Sequence, residues 1–520
     1  MTCLLLLLGL LHAEIRFDVK PLPFTLHNGA AGDFRLVELM VGGTALLDYD
    51  NDGCLDIFFA NGAALPSLQK TGPPFWNRLY RGDCKLGFTD VTSAAQLEGE
   101  GYAMGAAAGD YDHDGHTDLF VAAVNGNRLY RNLGNGRFSD VAAQAGLTGK
   151  IRWSVGASWF DYNNDHLPDL FVVNYLDWQR DTEPRCGTDR ARFYCHPNAF
   201  RPLPNQLFRN NGDGTFTDVT EPSGIGAHLG KGMSASFADF DQDGFTDIYV
   251  ANDSMRAFLF RNQGNGRFEE IALEAGVALR DDGSPIAGMG SHFDDYNNDG
   301  APDLIVTGMI NDTFLLFRNL AKLWQFEDDR ARTGLLLATR QLTGWAAAFV
   351  DFDNDGWKDL FFALSHFPRL ERYTGSGSEL PCRVLRNSDG RRFSPALDVT
   401  PPAYWRGAAF GDFDRDGRVD AVVTAIGQPA RLLHNRTEAG KSITFRISAP
   451  GAVVRLTLPD GRTLTSHAST SIGYASSSEP VVHFGLGPHS KAAKVLISWP
   501  GGQQQTLTDL PAGIHEVKRP

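Results

Sequence analysis

Short apolar runs recur along the chain, each bounded by Gly, Asn, Asp or Pro. Leu119-Phe120-Val121-Ala122 is one of them. Runs this short, rich in Val, Ile and Phe, read as buried β-strands rather than helices. An acidic stretch of fixed spacing leads into each run. In Asp110-Tyr111-Asp112-His113-Asp114-Gly115-His116-Thr117-Asp118, carboxylates fall at positions 1, 3, 5 and 9, with Gly at position 6. The stretch returns at Asp48–Asp56, Asp161–Asp169, Asp239–Asp247, Asp295–Asp303, Asp351–Asp359 and Asp412–Asp420. One copy would be an ordinary Asp-Gly turn; seven at one spacing are a repeat.

A second pattern follows each copy. Asn127–Asn132 and Gly134–Val141 alternate apolar and polar residues around a Gly-Asn-Gly turn, and related text recurs at Asn205–Val219 and Phe258–Ile271. Such turns mark β-hairpins. Each unit is therefore strand, acidic loop, strand, connection, strand, Gly turn, strand. Loop starts lie 62, 51, 78, 56, 56 and 61 residues apart. Four strands per unit at this period predict a β-propeller. The fold class expected is all-β: a seven-bladed β-propeller with calcium-binding loops over 14–440, plus a small, separate C-terminal β domain over 441–520. The last strand of blade seven is missing near Arg431–Asn435, and Phe17-Asp18-Val19 matches it; this strand is expected to close the ring. A small residue stands five places before each loop: Gly43, Gly105, Gly156, Ser234, Gly290, Ala346 and Gly407. It predicts a close approach of backbones. The aromatic at loop position 2, such as Tyr111 or Phe240, is expected to pack between repeats.

The loops are suited to a hard cation. Ca²⁺ takes roughly six to eight oxygens, which alternating carboxylates and one backbone carbonyl supply from a tight turn. The candidate ligands are the side chains at positions 1, 3, 5 and 9 and the carbonyl at position 7. They are Asp48, Asp50, Asp52, Cys54 and Asp56, then Asp110, Asp112, Asp114, His116 and Asp118. The third loop offers Asp161, Asn163, Asp165, Leu167 and Asp169, and the fourth Asp239, Asp241, Asp243, Phe245 and Asp247. The fifth has Asp295, Asn297, Asp299, Ala301 and Asp303. The sixth has Asp351, Asp353, Asp355, Trp357 and Asp359, and the seventh Asp412, Asp414, Asp416, Arg418 and Asp420. Position 12 is always apolar, so these are not EF-hands, which close with Glu there. His166 replaces Gly in loop three, which predicts a weaker site. Up to seven structural Ca²⁺ are expected.

Charge supports this reading. The net charge is −14, which seven Ca²⁺ would offset. The acidity argues against nucleic acid as a partner. Leu4–Leu11 is apolar and ends at His12-Ala13, so residues 1–13 are expected to be a signal peptide, followed by export to the periplasm, cell surface or medium. No other run is long enough to span a bilayer. Of six cysteines, Cys3 falls in the expected signal peptide; Cys186 and Cys195 lie in one insertion (175–204) and are expected to form a disulfide, and Cys54 and Cys84 are a second candidate pair, leaving Cys382 over. That insertion is a candidate binding element or an inert decoration.

The repeats resemble the FG-GAP/VCBS repeats of integrin α-chain propellers. His483-Phe484-Gly485-Leu486-Gly487 and Trp499-Pro500-Gly501-Gly502 resemble the ASPIC/UnbV domain, and the combination looks like the cartilage acidic protein family. The resemblance implies calcium in the loops and an exported, monomeric adhesion or binding module for a protein or glycan. A carbohydrate-active enzyme or lectin and a structural scaffold are the alternatives. No nucleophile or metalloprotease motif is present, and no catalytic residue is assigned; His196, His292 and His366 read as ordinary surface or hydrogen-bonded histidines. Arg81-Gly82-Asp83 reads as a variant turn before an adhesive motif. Asn252, Asn311 and Asn435 open glycosylation sequons.

Overall fold

The computed structural model describes residues 14–149, 152–188, 191–368, 377–394, 397–447 and 449–520. The expected signal peptide at 1–13 lies outside the described residues. The fold is all-β. Seven four-stranded antiparallel sheets follow the repeat, and each acidic loop joins the first two strands of its sheet. In the second sheet Tyr102–Gly109, Asp118–Val124, Arg128–Asn132 and Phe138–Asp140 pair in that order. The first strands of successive sheets touch one another in sequence, and Trp405–Gly411 of the last meets Thr44–Leu47 of the first. The sheets therefore stand in a closed, propeller-like ring.

The ring closes through the N-terminus. Phe17–Thr25 is the fourth strand of sheet seven, with Phe17 opposite Asn435 and Val19 opposite Leu433. Aromatic residues fill the wedges between sheets. Tyr111 and Trp159 stack with centroids 6.0 Å apart, and Tyr296 and Phe349 do the same.

The insertion follows Asp169–Asn174, so it leaves from the face opposite the acidic loops. There Tyr194 donates to Glu38 at 3.0 Å and Arg35 pairs with Glu183 at 3.1 Å. It caps that end of the ring, burying Tyr175, Leu176 and Trp178. Cys186–Cys195 and Cys54–Cys84 are both bonded, and Cys382 is free and buried.

The C-terminal unit has its own core, including Phe445, Val454, Leu456, Phe484 and Trp499, between a three- and a four-stranded sheet. It keeps that core while packing against the ring. It lies on the acidic-loop face, where Ser466 Oγ donates to Asp294 at 3.1 Å and Gly487 N–H to the Asn354 carbonyl at 2.8 Å. Between two of its strands, residues 470–479 descend into the axis of the ring. Ser477 exchanges backbone bonds with Thr44 and Leu46, Ala475 accepts from Ala106, Gly473 donates to Ser291, and Glu479 donates to Phe410. This strap supplies part of the reason for the small residues. A Cβ on Gly43 would lie 2.2 Å from the Ala475 carbonyl, and one on Gly407 2.7 Å from Ser476 Oγ.

Candidate metal centre

Each loop is wound by its own carboxylates. In loop two, Asp110 accepts from the N–H groups of Asp114 and Gly115, and Asp114 accepts from His116. Position 4 takes positive φ in all seven loops, from 54° at Asn354 to 60° at Gln242. Loop three keeps this winding. His166 adopts φ 75° and donates its N–H to Asp161, as Gly does elsewhere.

Position 9 has a second task that its spacing alone did not reveal. Asp118 is fully buried; one oxygen accepts from Tyr111 N–H at 3.1 Å and the other from Asn132 N–H at 2.7 Å. Asp247 does the same with Phe240 and Asn262, and Asp420 with Phe413 and Asn435. The Asn then reaches the preceding sheet: Asn132 Nδ2 donates to the Tyr49 carbonyl and Asn262 Nδ2 to that of Tyr162. The Arg-Asn text before each Gly turn was the available signal. In sheet one Gly82 stands in place of Asn, and the Cys54–Cys84 bond ties loop to hairpin instead.

Position 4 links the loops around the ring. Asn51 donates to the Gly115 carbonyl, Asn164 to Gly244, Gln242 to Gly300, Asn298 to Gly356, Asn354 to Gly417 and Arg415 to Gly53. Periodicity could not show this, because each bond joins residues about sixty or more apart.

Positions 3 and 5 face an arginine from the third strand. Arg81 lies 2.8 Å from both Asp50 and Asp52, and Arg131 lies 2.7 and 3.1 Å from Asp112 and Asp114. These ion pairs hold one oxygen of each carboxylate outward. The other oxygen of Asp50, Asp112, Asp241 and Asp414 is buried and has no hydrogen-bond partner among the described residues. Carboxylates of positions 1, 3 and 9 gather within 4.8 Å in loops one, two and four, and those of positions 1, 5 and 9 in loop three. Buried oxygens without a donor are costly, and a hard cation satisfies them. The residues present fit Ca²⁺. Where position 3 is amide, Asn163 and Asn297 still present an oxygen, which accepts from Asp165 and Asp299.

Burial raises these carboxyls. Asp56, Asp118, Asp169 and Asp420 are each pushed up to about 8, Asp239 and Asp295 to about 7, and Asp412 to about 6. Desolvation is the main cause in each, and neighbouring aspartates add to it. A divalent cation opposes both effects.

Other sequence candidates take structural positions. Arg81 is engaged as above and Asp83 accepts from Lys85 and Gly87, so the adhesive tripeptide is tied into its turn. His292 accepts from Phe349 N–H, His366 bonds Thr343, and His196 caps a short turn at Asn198. Asn252 and Asn435 are buried, while Asn311 is exposed.

A cleft of about 600 Å³ opens where the C-terminal unit overhangs loops one and two. Leu46, Leu55 and Trp159 form one wall and Ile447, Val481 and Val517 the other, with Arg446 and the buried Glu479 between them.

The FG-GAP-like repeat model matches residues 48–121, 110–172, 198–250, 239–306 and 295–362, and the ASPIC and UnbV model matches 446–516. Cartilage acidic protein 1 of Mus musculus is 27% identical over 493 residues, covering 89% of this chain and 70% of that protein. Integrin alpha-5 of Xenopus laevis is 24% identical over 242 residues, covering 44% and 21%. A solved Agrocybe aegerita lectin that recognises non-reducing terminal N-acetylglucosamine has a TM-score of 0.40 at 16% identity, covering 74% of this chain and 86% of that one.

Proposed function

We propose, for a chain that belongs to the FG-GAP-like repeat family and carries an ASPIC and UnbV match near its end, that it is an exported, calcium-loaded binding module for a protein or glycan partner. The unpartnered buried oxygens of Asp50, Asp112, Asp241 and Asp414 carry the calcium part of this reading. Two disulfides support an oxidising, extracytoplasmic setting. Similarity to cartilage acidic protein 1 and to integrin alpha-5 supports a non-enzymatic binding role. The cleft beside loops one and two is the concave surface that suits a partner, in the usual range of roughly 300–1,000 Å³.

The test is a binding screen of glycans and cell-surface proteins in calcium and in chelator. Saturable binding without turnover, lost when calcium is removed, is the expected result. Turnover of a polysaccharide would overturn the non-enzymatic reading. A chain that carries no calcium after exhaustive exchange would overturn the metal reading.

A further inference from the structure

Five of the seven loops carry Asp at position 3, and four of these are faced by arginine. Arg81, Arg131, Arg261 and Arg386 each pair with the carboxylates at positions 3 and 5 of their loop. The fifth is sheet seven, where the residue before the buried Asn435 is His434. Its Nε2 lies 3.0 Å from Asp414 Oδ2. The residue is 4% exposed, and Nδ1 has no hydrogen-bond partner among the described residues. A ring nitrogen of His434 and carboxylate oxygens of Asp414 and Asp416 lie within 4.8 Å of one another.

Exchanging guanidinium for imidazole changes what this position can do. A guanidinium only donates, so it can neutralise the two carboxylates but never ligate a metal. Imidazole brings a lone pair. One imidazole with two carboxylates suits Zn²⁺ and other borderline divalent ions, whereas Ca²⁺ is held by oxygen. Metal–ligand bonds of about 2.0–2.2 Å place neighbouring ligand atoms roughly 3–3.5 Å apart, and Nε2 and Asp414 already have that separation. The two oxygens of Asp414 divide the work: Oδ1 is buried and unpartnered on the loop side, while Oδ2 faces His434. Arg418 lies against Asp416 Oδ2 and donates from Nε to the Asn435 carbonyl at 2.9 Å. Its side chain is 26% exposed, so an arriving divalent cation can displace it toward solvent and replace its charge.

We propose that sheet seven carries a second kind of metal site, formed by His434, Asp414 and Asp416, which takes Zn²⁺ or an ion of like chemistry. The other sheets lack it because arginine or an amide side chain stands at the matching positions. This goes beyond the calcium reading, since the nitrogen donor is not part of any loop.

The test titrates Co²⁺ into the full-length chain in saturating calcium. One equivalent should bind with visible d–d absorption, and Zn²⁺ should displace it. His434→Arg restores the residue of the neighbouring sheets, so it should fold, keep its calcium and lose Co²⁺ affinity by at least about tenfold. His434→Gln, which leaves every loop carboxylate in place, serves as a second variant with the same expected direction. The proposal is overturned if no Co²⁺ binds in calcium, or if His434→Arg binds it with unchanged affinity and spectrum. Calcium content is counted separately by native mass spectrometry, so loss of the cobalt site and loss of the loop sites remain distinguishable.

Discussion

Tyr474 of the C-terminal strap packs edge-on against Trp345 on the first strand of sheet six, with ring centroids 5.4 Å apart. Its hydroxyl donates to the Met40 carbonyl, which leads into sheet one. Both rings are fully buried. A residue distant in sequence from either partner thus fills the axis of the ring and joins the two β units.

This contact predicts that the chain unfolds as one body. Tyr474→Ala removes a buried ring from the axis and should cost on the order of 3 kcal/mol. Calorimetry should show a single transition, shifted as a whole. Two separate transitions, with only the smaller one moved, would show that the strap does not couple the units.

Calcium should dominate stability. An ion bound only by the folded chain contributes about 2.7 kcal/mol per site at a hundredfold excess over Kd. Chelation should therefore lower the melting temperature substantially. Asp239→Ala should destabilise more than Asp509→Ala, since Asp509 is 71% exposed and outside the loops. Superimposable melting curves in calcium and chelator would falsify the metal reading.

The metal-free protein should show an inverted pH dependence. Asp56, Asp118, Asp169 and Asp420 are raised by burial to about 8, against about 4 in an unfolded chain. Between these values the folded state holds protons that the unfolded state has released. Stability then falls as pH rises through that window. Protein freed of metal should melt higher at about pH 5.5 than at about pH 8, and calcium should close the gap. A metal-free melting temperature that climbs with pH would contradict the assignment.

The asparagine clasp is testable at Asn262. It donates to the Tyr162 and Thr246 carbonyls and is completely buried. Asn262→Ala leaves those carbonyls without a donor, at a cost of about 2 kcal/mol. Denaturant melts should show the loss. A change within about 0.5 kcal/mol, the range of an ordinary surface substitution, would mean that the clasp is not needed to join the sheets.

Peptide mapping of non-reduced protein should recover Cys54 linked to Cys84 and Cys186 linked to Cys195, with Cys382 free. Any other pairing would contradict the fold, because Cys382 is wholly buried.

The sequence alone determined the repeat. Period-2 strands and seven acidic loops of one spacing, five of them Asp-x-Asp-x-Asp, are local patterns, written by the geometry of a strand and of a tight turn, and they were enough to predict an all-β ring and its candidate acidic sites. The match of Phe17-Asp18-Val19 to a missing strand was legible for the same reason, since every sheet repeats one template. The tertiary structure decided what depends on residues far apart in the chain. Only folding set Asn132 against Tyr49, Arg81 against Asp50, and Ala475 beside Gly43. The small residues before each loop announced a close approach, but the strap that meets Gly43 comes from a part of the chain with no periodic relation to it. The C-terminal unit looked separate because its strands form their own core. It docks through 470–479, whose backbone groups pair with Thr44, Leu46, Ala106, Ser291 and Phe410 on the first strands of the ring.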